Sequence, residues 1–134
     1  QGVVSGAIES VYQATRIQRV CHELGLWSFN PLWKREQIQY LHALVDAGFE
    51  VIITGVFGYP FDETWLGRKL DSSMITELAA MQTRFGINPS GEGGELETLT
   101  LFAPSWRKRI TIKKSSTEYA NHSGILRITE ATLT

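Results

Sequence analysis

Gly25, Gly48 and Gly86 each close a stretch in which apolar residues recur at three- and four-residue steps. Such periodicity, ended by a glycine that can take a left-handed C′ conformation, is the mark of an amphipathic helix and its stop. Val11, Ala14, Ile17, Cys21 and Leu24 form the first stripe, and Ser10 with Gln13 has the spacing of a capping box before it. A second helix is predicted over Arg35 to Ala47, with Ile38, Leu41, Leu44 and Val45 inward. A third begins near Asp71 and turns Ile75, Leu78, Ala79, Met81 and Phe85 to the core. Short β-branched runs separate these helices. Val3, Val4 and Ile8 suggest a first strand, and the nearly continuous apolar run in Phe49 to Phe57 has the character of a strand covered on both faces in a parallel sheet. The expected architecture is therefore α/β, with parallel strand–helix units.

After residue 90 the pattern changes. Leu96 to Phe102, Arg109 to Lys113 and Ile125 to Thr129 read as strands with no helix between them, and Ser123-Gly124 reads as the turn before the last. A mostly antiparallel β extension is expected over 91–134, following the α/β units of 1–90 in one domain. With 134 residues and 43% hydrophobic content, the chain is long enough for one real core. A formal net charge of −1 gives no global pull toward nucleic acid or an anionic membrane, and neither is expected as a partner. The basic cluster Arg107, Lys108, Arg109, Lys113 and Lys114 reads as charge protecting a strand edge. The lone Cys21 cannot close an internal disulfide, and no apolar run is long enough to span a bilayer, so a cytoplasmic location is expected. Trp27, Trp33, Trp65 and Trp106 are dispersed and read as packing residues.

Two stretches carry chemistry. Gly91-Glu92-Gly93-Gly94-Glu95-Leu96-Glu97-Thr98 puts three glycines and three carboxylates into eight residues ahead of a strand. Glycine allows close approach of a ligand to the main chain, and successive amides can turn inward as an anion nest. Glu95 and Glu97, two apart, project from one face of an extended chain, and their oxygen-only chemistry suits Mg²⁺. The plainer alternative is a strand-entry turn with solvated glutamates. At the other stretch, Gly6 and Ser10 precede a helix whose N-terminal amides favour an anion, and Tyr12, Gln13 and Arg16 lie on its first turns at converging spacings. A solvent-facing helix turn is the alternative there. Pro31-Leu32-Trp33 announces a helix start.

Gly6-Ala7-Ile8-Glu9-Ser10-Val11-Tyr12-Gln13-Ala14-Thr15-Arg16, Cys21, Leu24-Gly25-Leu26, Pro31-Leu32-Trp33, Gly48-Phe49, Trp65-Leu66-Gly67-Arg68 and the glycine loop through Leu99 resemble, in order and spacing, the diphthine–ammonia ligase (diphthamide synthetase) family of N-type ATP pyrophosphatases. The resemblance runs from the first residue to about Pro104. It implies a Rossmann-like ATP-pyrophosphatase fold and a reaction in which ATP activates the carboxylate of diphthine, on translation elongation factor two, as an acyl-adenylate. Ammonia then displaces AMP to give diphthamide, with pyrophosphate the other product. ATP and Mg²⁺ are the implied cofactors. Gly6, Ser10, Tyr12, Gln13, Arg16 and Trp33, with Gly91, Gly93 and Gly94, are implied to bind nucleotide or substrate. Glu92, Glu95 and Glu97 are implied to be catalytic, orienting ammonia or accepting its proton, with Glu95 and Glu97 also on the metal. The family's Ser-Gly-Gly-Lys-Asp-Ser phosphate loop does not occur in these residues, so the chain is expected to be the C-terminal half of a larger ligase, partnered by an N-terminal half that carries that PP-loop, and inactive alone. Ala7 replaces the usual Asp, Asn88 the usual His, and Leu96 a common aromatic. A non-catalytic partner-binding domain, or an ATP pyrophosphatase with another acceptor, is the alternative reading.

Overall fold

The computed structural model describes all residues from Gln1 to Thr134. They divide into two compact units, 1–37 and 38–134.

In the first unit, β1 (Gly2–Val4) pairs in parallel with β2 (Trp27–Phe29), and α1 (Val11–Glu23) makes the crossover between them. This is the strand–helix unit that the sequence predicts. The first strand is shorter than expected, for Ile8 is buried in the following loop, where its carbonyl accepts the Lys34 amide at 2.8 Å. Ser10 caps α1, its hydroxyl accepting from the Gln13 amide. Gly25 at φ 65° ends the helix, with its amide on the His22 carbonyl and that of Leu26 on the Cys21 carbonyl. The expected buried stripe is only partly buried. Cys21 is enclosed, but Val11 and Leu24 stand 63% and 66% exposed. Periodicity marks a face that needs cover, and two three-residue strands supply little of it.

The second unit holds the core. Its sheet runs β4 (Leu96–Phe102), β3 (Glu50–Phe57), β6 (Ser123–Leu133), β5 (Ile110–Ala120), each neighbouring pair antiparallel. The C-terminal strands therefore behave as predicted, whereas β3 does not lie in a parallel sheet. An apolar run reports burial on both faces, and burial says nothing of a neighbour's direction. Val51, Ile53 and Val56 join the core with Phe61, Trp65, Met74, Ile75, Leu78 and Leu96. Ile52 is buried as well. α2 (Gln37–Asp46) and α3 (Ser72–Phe85) follow most of their predicted stripes, with Leu41, Ile75 and Leu78 buried and Ile38, Leu44, Val45 and Met81 packed against the cluster, but Phe85, at the last turn of α3, is exposed rather than turned to the core. Asp71 caps α3 through the Met74 amide at 2.8 Å, and Gly86 at φ 70° ends it. Of the tryptophans only Trp65 is buried; Trp27, Trp33 and Trp106 are surface residues.

Beside β3, on the side away from β4, the chain segment at Gly67–Leu70 takes up the hydrogen bonds of the strand's first half. The Ile53 amide donates to the Arg68 carbonyl, and the Gly67 and Leu70 amides donate to Ile53 and Val51. β6 meets β3 only at Gly55–Phe57, so most of the β5–β6 hairpin is a two-stranded ribbon. Its reversal lies at Asn121-His122, both with positive φ of 51° and 58°, not at Ser123-Gly124. Two successive left-handed residues give a tight turn whose twist suits the hairpin. Gly124 belongs to the strand, and a Cβ there would stand 2.8 Å from the Glu118 carbonyl oxygen. Lys113 and Lys114 lie on β5, the open edge, as their charge suggests. No helix is long and apolar enough to cross a membrane.

Candidate functional site

In the first unit, the loop from β1 to α1 and the first turns of the helix form a cleft of about 480 Å³ lined by Ser5, Gly6, Ala7, Tyr12, Gln13 and Arg16. The sequence-predicted residues Gly6, Tyr12, Gln13 and Arg16 are thus brought together, with Ser10 at the helix cap beside them. Arg16 Nη1 donates to the Tyr12 hydroxyl at 2.9 Å, and its guanidinium stands over the Tyr12 ring at 5.4 Å. That contact holds the arginine against the helix while the cleft stays open to solvent. A fork-shaped donor beside a helix N-terminus has the chemistry to take a phosphate or a carboxylate. Trp33 is elsewhere. It lines a separate recess with Ala14, Gln18, Ser28 and Asn30, and the Lys34 ammonium lies 5.7 Å from its ring centre.

In the second unit, the glycine loop folds as two consecutive tight turns. The Gly91 amide donates to the Asn88 carbonyl at 2.9 Å and the Gly94 amide to the Gly91 carbonyl at 3.0 Å, with φ of 80° and 83° at the two glycines. Those two amides are therefore committed to the turns and cannot serve in the predicted anion nest. Gly93 has a different reason to be glycine: a Cβ there would collide with the Glu95 carboxylate and the Asn88 amide. Asn88 Nδ2 donates weakly to Glu95 Oε1 at 3.4 Å, while Glu95 Oε2 is buried with no hydrogen-bond partner. A buried carboxylate oxygen left unsatisfied is costly, and its presence marks a place where a donor or a cation belongs. Glu97 lies on β4 and is exposed. Glu92 faces Tyr40 of α2; burial, and then the Glu92 charge, push the tyrosine pKa up.

No three His, Cys, Asp or Glu side chains form a metal-holding group. Mg²⁺ is commonly held by only one or two protein carboxylates, with phosphate and water completing the octahedron. The orphaned oxygen of Glu95 and the nearby Glu97 are a donor set of the right chemistry for that arrangement. Tyr40 joins this site without a sequence signal of its own, since a tyrosine in an amphipathic helix is ordinary, whereas Asn88 stands where the family pattern has His. Of the departures from the family pattern, Ala7 is buried beside the first cleft and Leu96 is part of the core.

The diphthamide synthase C-terminal domain matches residues 36–134. The chain belongs to that family. The matched stretch begins almost where the second compact unit does, and includes the whole glycine loop. Curated relatives of this diphthamide synthase domain are whole proteins named diphthine–ammonia ligase. That of Schizosaccharomyces pombe is 37% identical over 123 residues, which cover 92% of this chain and 20% of that protein. The Homo sapiens protein is 35% identical over 124 residues, covering 92% and 45%, and the Danio rerio protein 37% over 138 residues, covering 96% and 52%. The chain thus spans between 20% and 52% of the length of these relatives.

Proposed function

We propose that the chain is part of an ATP-dependent amide ligase that activates the carboxylate of diphthine on translation elongation factor two and amidates it with ammonia, releasing AMP and pyrophosphate. The observation that carries this reading is the diphthamide synthase C-terminal domain match over a stretch that contains an unsatisfied carboxylate in a glycine loop. Amide synthesis from a carboxylate needs a good leaving group, a nucleophilic ammonia and a place for the proton that ammonia sheds. In the proposed division, Gly6, Ser10, Gln13 and Arg16 hold a phosphate or the substrate carboxylate, which the cleft and the helix N-terminus favour. Glu92, Glu95 and Glu97 divide metal binding, ammonia orientation and proton acceptance among them. The β1–α1–β2 unit is read as a piece of a Rossmann-like sheet of the ATP-pyrophosphatase type, and the phosphate loop as the contribution of an N-terminal half. Bound Mg²⁺ would screen the polyphosphate charge.

The test is to mix the chain with a separately expressed segment carrying the Ser-Gly-Gly-Lys-Asp-Ser loop, then supply Mg·ATP, ammonia and elongation factor two bearing diphthine. Pyrophosphate release and amide formation are expected in the mixture, and neither from the chain alone. Substituting Glu95→Gln is expected to abolish amide formation. Unimpaired turnover by that variant would overturn the assignment of the glycine loop to chemistry.

A further inference from the structure

We propose that the open edge of β5 pairs with the same edge of a second copy of this chain, antiparallel and centred on Ser116. β5 ends its sheet with only β6 beside it, and β3 reaches β6 only at Ser123–Ile125. A two-stranded ribbon is marginal in water, and its row of unpaired amides and carbonyls is a template for another strand. Side chains along β5 alternate between the two faces of the ribbon. Thr117 Oγ1 donates to Glu63 Oε1 at 3.2 Å on one of them. On the other, exposed Ser116 stands opposite Arg127, whose guanidinium is held by both Glu118 oxygens at 2.9 and 3.2 Å, and Lys114 Nζ lies 2.9 Å from Glu130 Oε2. Lys114, Ser116 and Glu118 thus follow one another on one face, as cation, hydroxyl and carboxylate.

That order is self-complementary. A two-fold axis perpendicular to the sheet at Ser116 sets Ser116 opposite its own copy, Lys114 opposite Glu118 and Glu118 opposite Lys114, so one patch serves both partners. The new pairs join those already present: Glu130 and Lys114 of one copy, then Glu118 and Arg127 of the other, form a run of alternating sign. Charge also fixes the register. An axis at Ser115 would set Ile112 against Glu118, and one at Thr117 would set Lys114 against Ala120. The register shifts on either side of Lys114 and the reversal at Asn121-His122 limit the regular edge, so the paired segment is short and the association weak. Lysines that deter an arbitrary strand admit one that carries a glutamate at the matching place. The inference goes beyond the ligase reading, and neither depends on the other.

The test is sedimentation velocity of the 134-residue chain between about 10 μM and about 1 mM, the range in which a small interface associates. A monomer–dimer equilibrium is expected. Ser116→Glu lies between Lys114 and Arg127 within its own chain, which suits the monomer, yet faces a second glutamate across the axis. Lys114→Glu sets a glutamate against Glu118. Each should raise the dimer dissociation constant about tenfold, because symmetry applies every change twice. Combining Lys114→Glu with Glu118→Lys restores opposite charges across the axis and should recover the dimer, which a merely unfolded strand would not do. Circular dichroism checks that each variant keeps its fold. A single monomeric species throughout the range, a dimer indifferent to Ser116→Glu and Lys114→Glu, or no recovery in the charge-swapped chain would overturn the inference.

Discussion

Residues 1–37 and 38–134 are assembled from the same local devices, capped helices and short β-branched runs, yet they enclose very different interiors. The second unit surrounds Phe61, Ile53, Val56, Met74, Ile75 and Leu78, each less than 2% exposed or at that limit. The first buries Ala7, Ile8, Cys21 and Gln37, and leaves Val4, Val11, Leu24, Trp27 and Phe29 more than half exposed. Local signals decide what a segment forms, and the apolar area it can share with other segments decides how firmly. The first unit carries an open cleft with an arginine and a helix N-terminus on a lightly packed frame. The second carries Glu97 on a strand of the sheet that forms the core, and Glu92 and Glu95 in the loop that leads into it.

The most direct way to break this comparison is to truncate one enclosed side chain in each unit. Phe61→Ala removes a ring that sits edge-on to Trp65 at 5.1 Å between centroids, and is expected to cost about 3–5 kcal/mol. Cys21→Ala removes the one enclosed side chain of α1 and is expected to cost about 1 kcal/mol. Urea unfolding of both variants measures the difference. Equal losses would mean that the first unit is as tightly packed as the second. Hydrogen exchange sharpens the point, since amides of β1 and β2 should exchange well before those of β3.

A second prediction separates stability from chemistry within the glycine loop. Glu95→Gln replaces a charge whose Oε2 is buried and unpartnered, and is expected to raise stability by about 1 kcal/mol while removing the proposed ligation. A thermal melt beside the amidation assay checks both. A fall in the melting temperature would show that the carboxylate is compensated in the folded chain.

What the sequence reveals of this fold depends on how local the cause is. α3 is legible at both ends because Asp71 and Gly86 act within one turn of the helix, and β4 because its apolar alternation begins where the glycines stop. The direction of β3 is not legible, because an apolar run is the same beside a parallel or an antiparallel neighbour. Nor is the Gly67–Leu70 segment, which sits beside β3 through backbone bonds that any side chains would permit. The Asn121-His122 reversal was hidden behind a nearby glycine whose own task is to clear the Glu118 carbonyl. At the site, Glu95 stands out in sequence by its glycines, whereas Tyr40 and Phe57 reach the loop only through packing and pairing.

The caps extend the comparison to smaller effects. Asp71 Oδ1 accepts the Met74 amide at 2.8 Å in a half-buried setting, and Ser10 Oγ accepts the Gln13 amide at 3.3 Å in an exposed one. Asp71→Ala should cost about 1 kcal/mol and Ser10→Ala about 0.5 kcal/mol. Chemical denaturation of the two variants measures this, and a larger loss at Ser10 would reverse the ranking of the units.

The smallest expected effect is electrostatic and confined to the second unit. Burial, then the Glu92 charge, raise the Tyr40 pKa above its ordinary value of 10.0. In the unfolded chain the phenol loses its proton near that value, while the folded chain still holds it. Above about pH 10 the folded state therefore binds more protons, and stability falls as pH rises through the folded pKa; below that range the contribution is fully present. Lysines and other tyrosines titrate in the same window, so the informative quantity is the difference between the parent chain and Tyr40→Phe. The variant should lose stability less steeply between neutral pH and pH 11. Superimposable alkaline limbs would mean that Glu92 and the burial of α2 place no charge constraint on Tyr40, and would detach that helix from the electrostatics of the glycine loop.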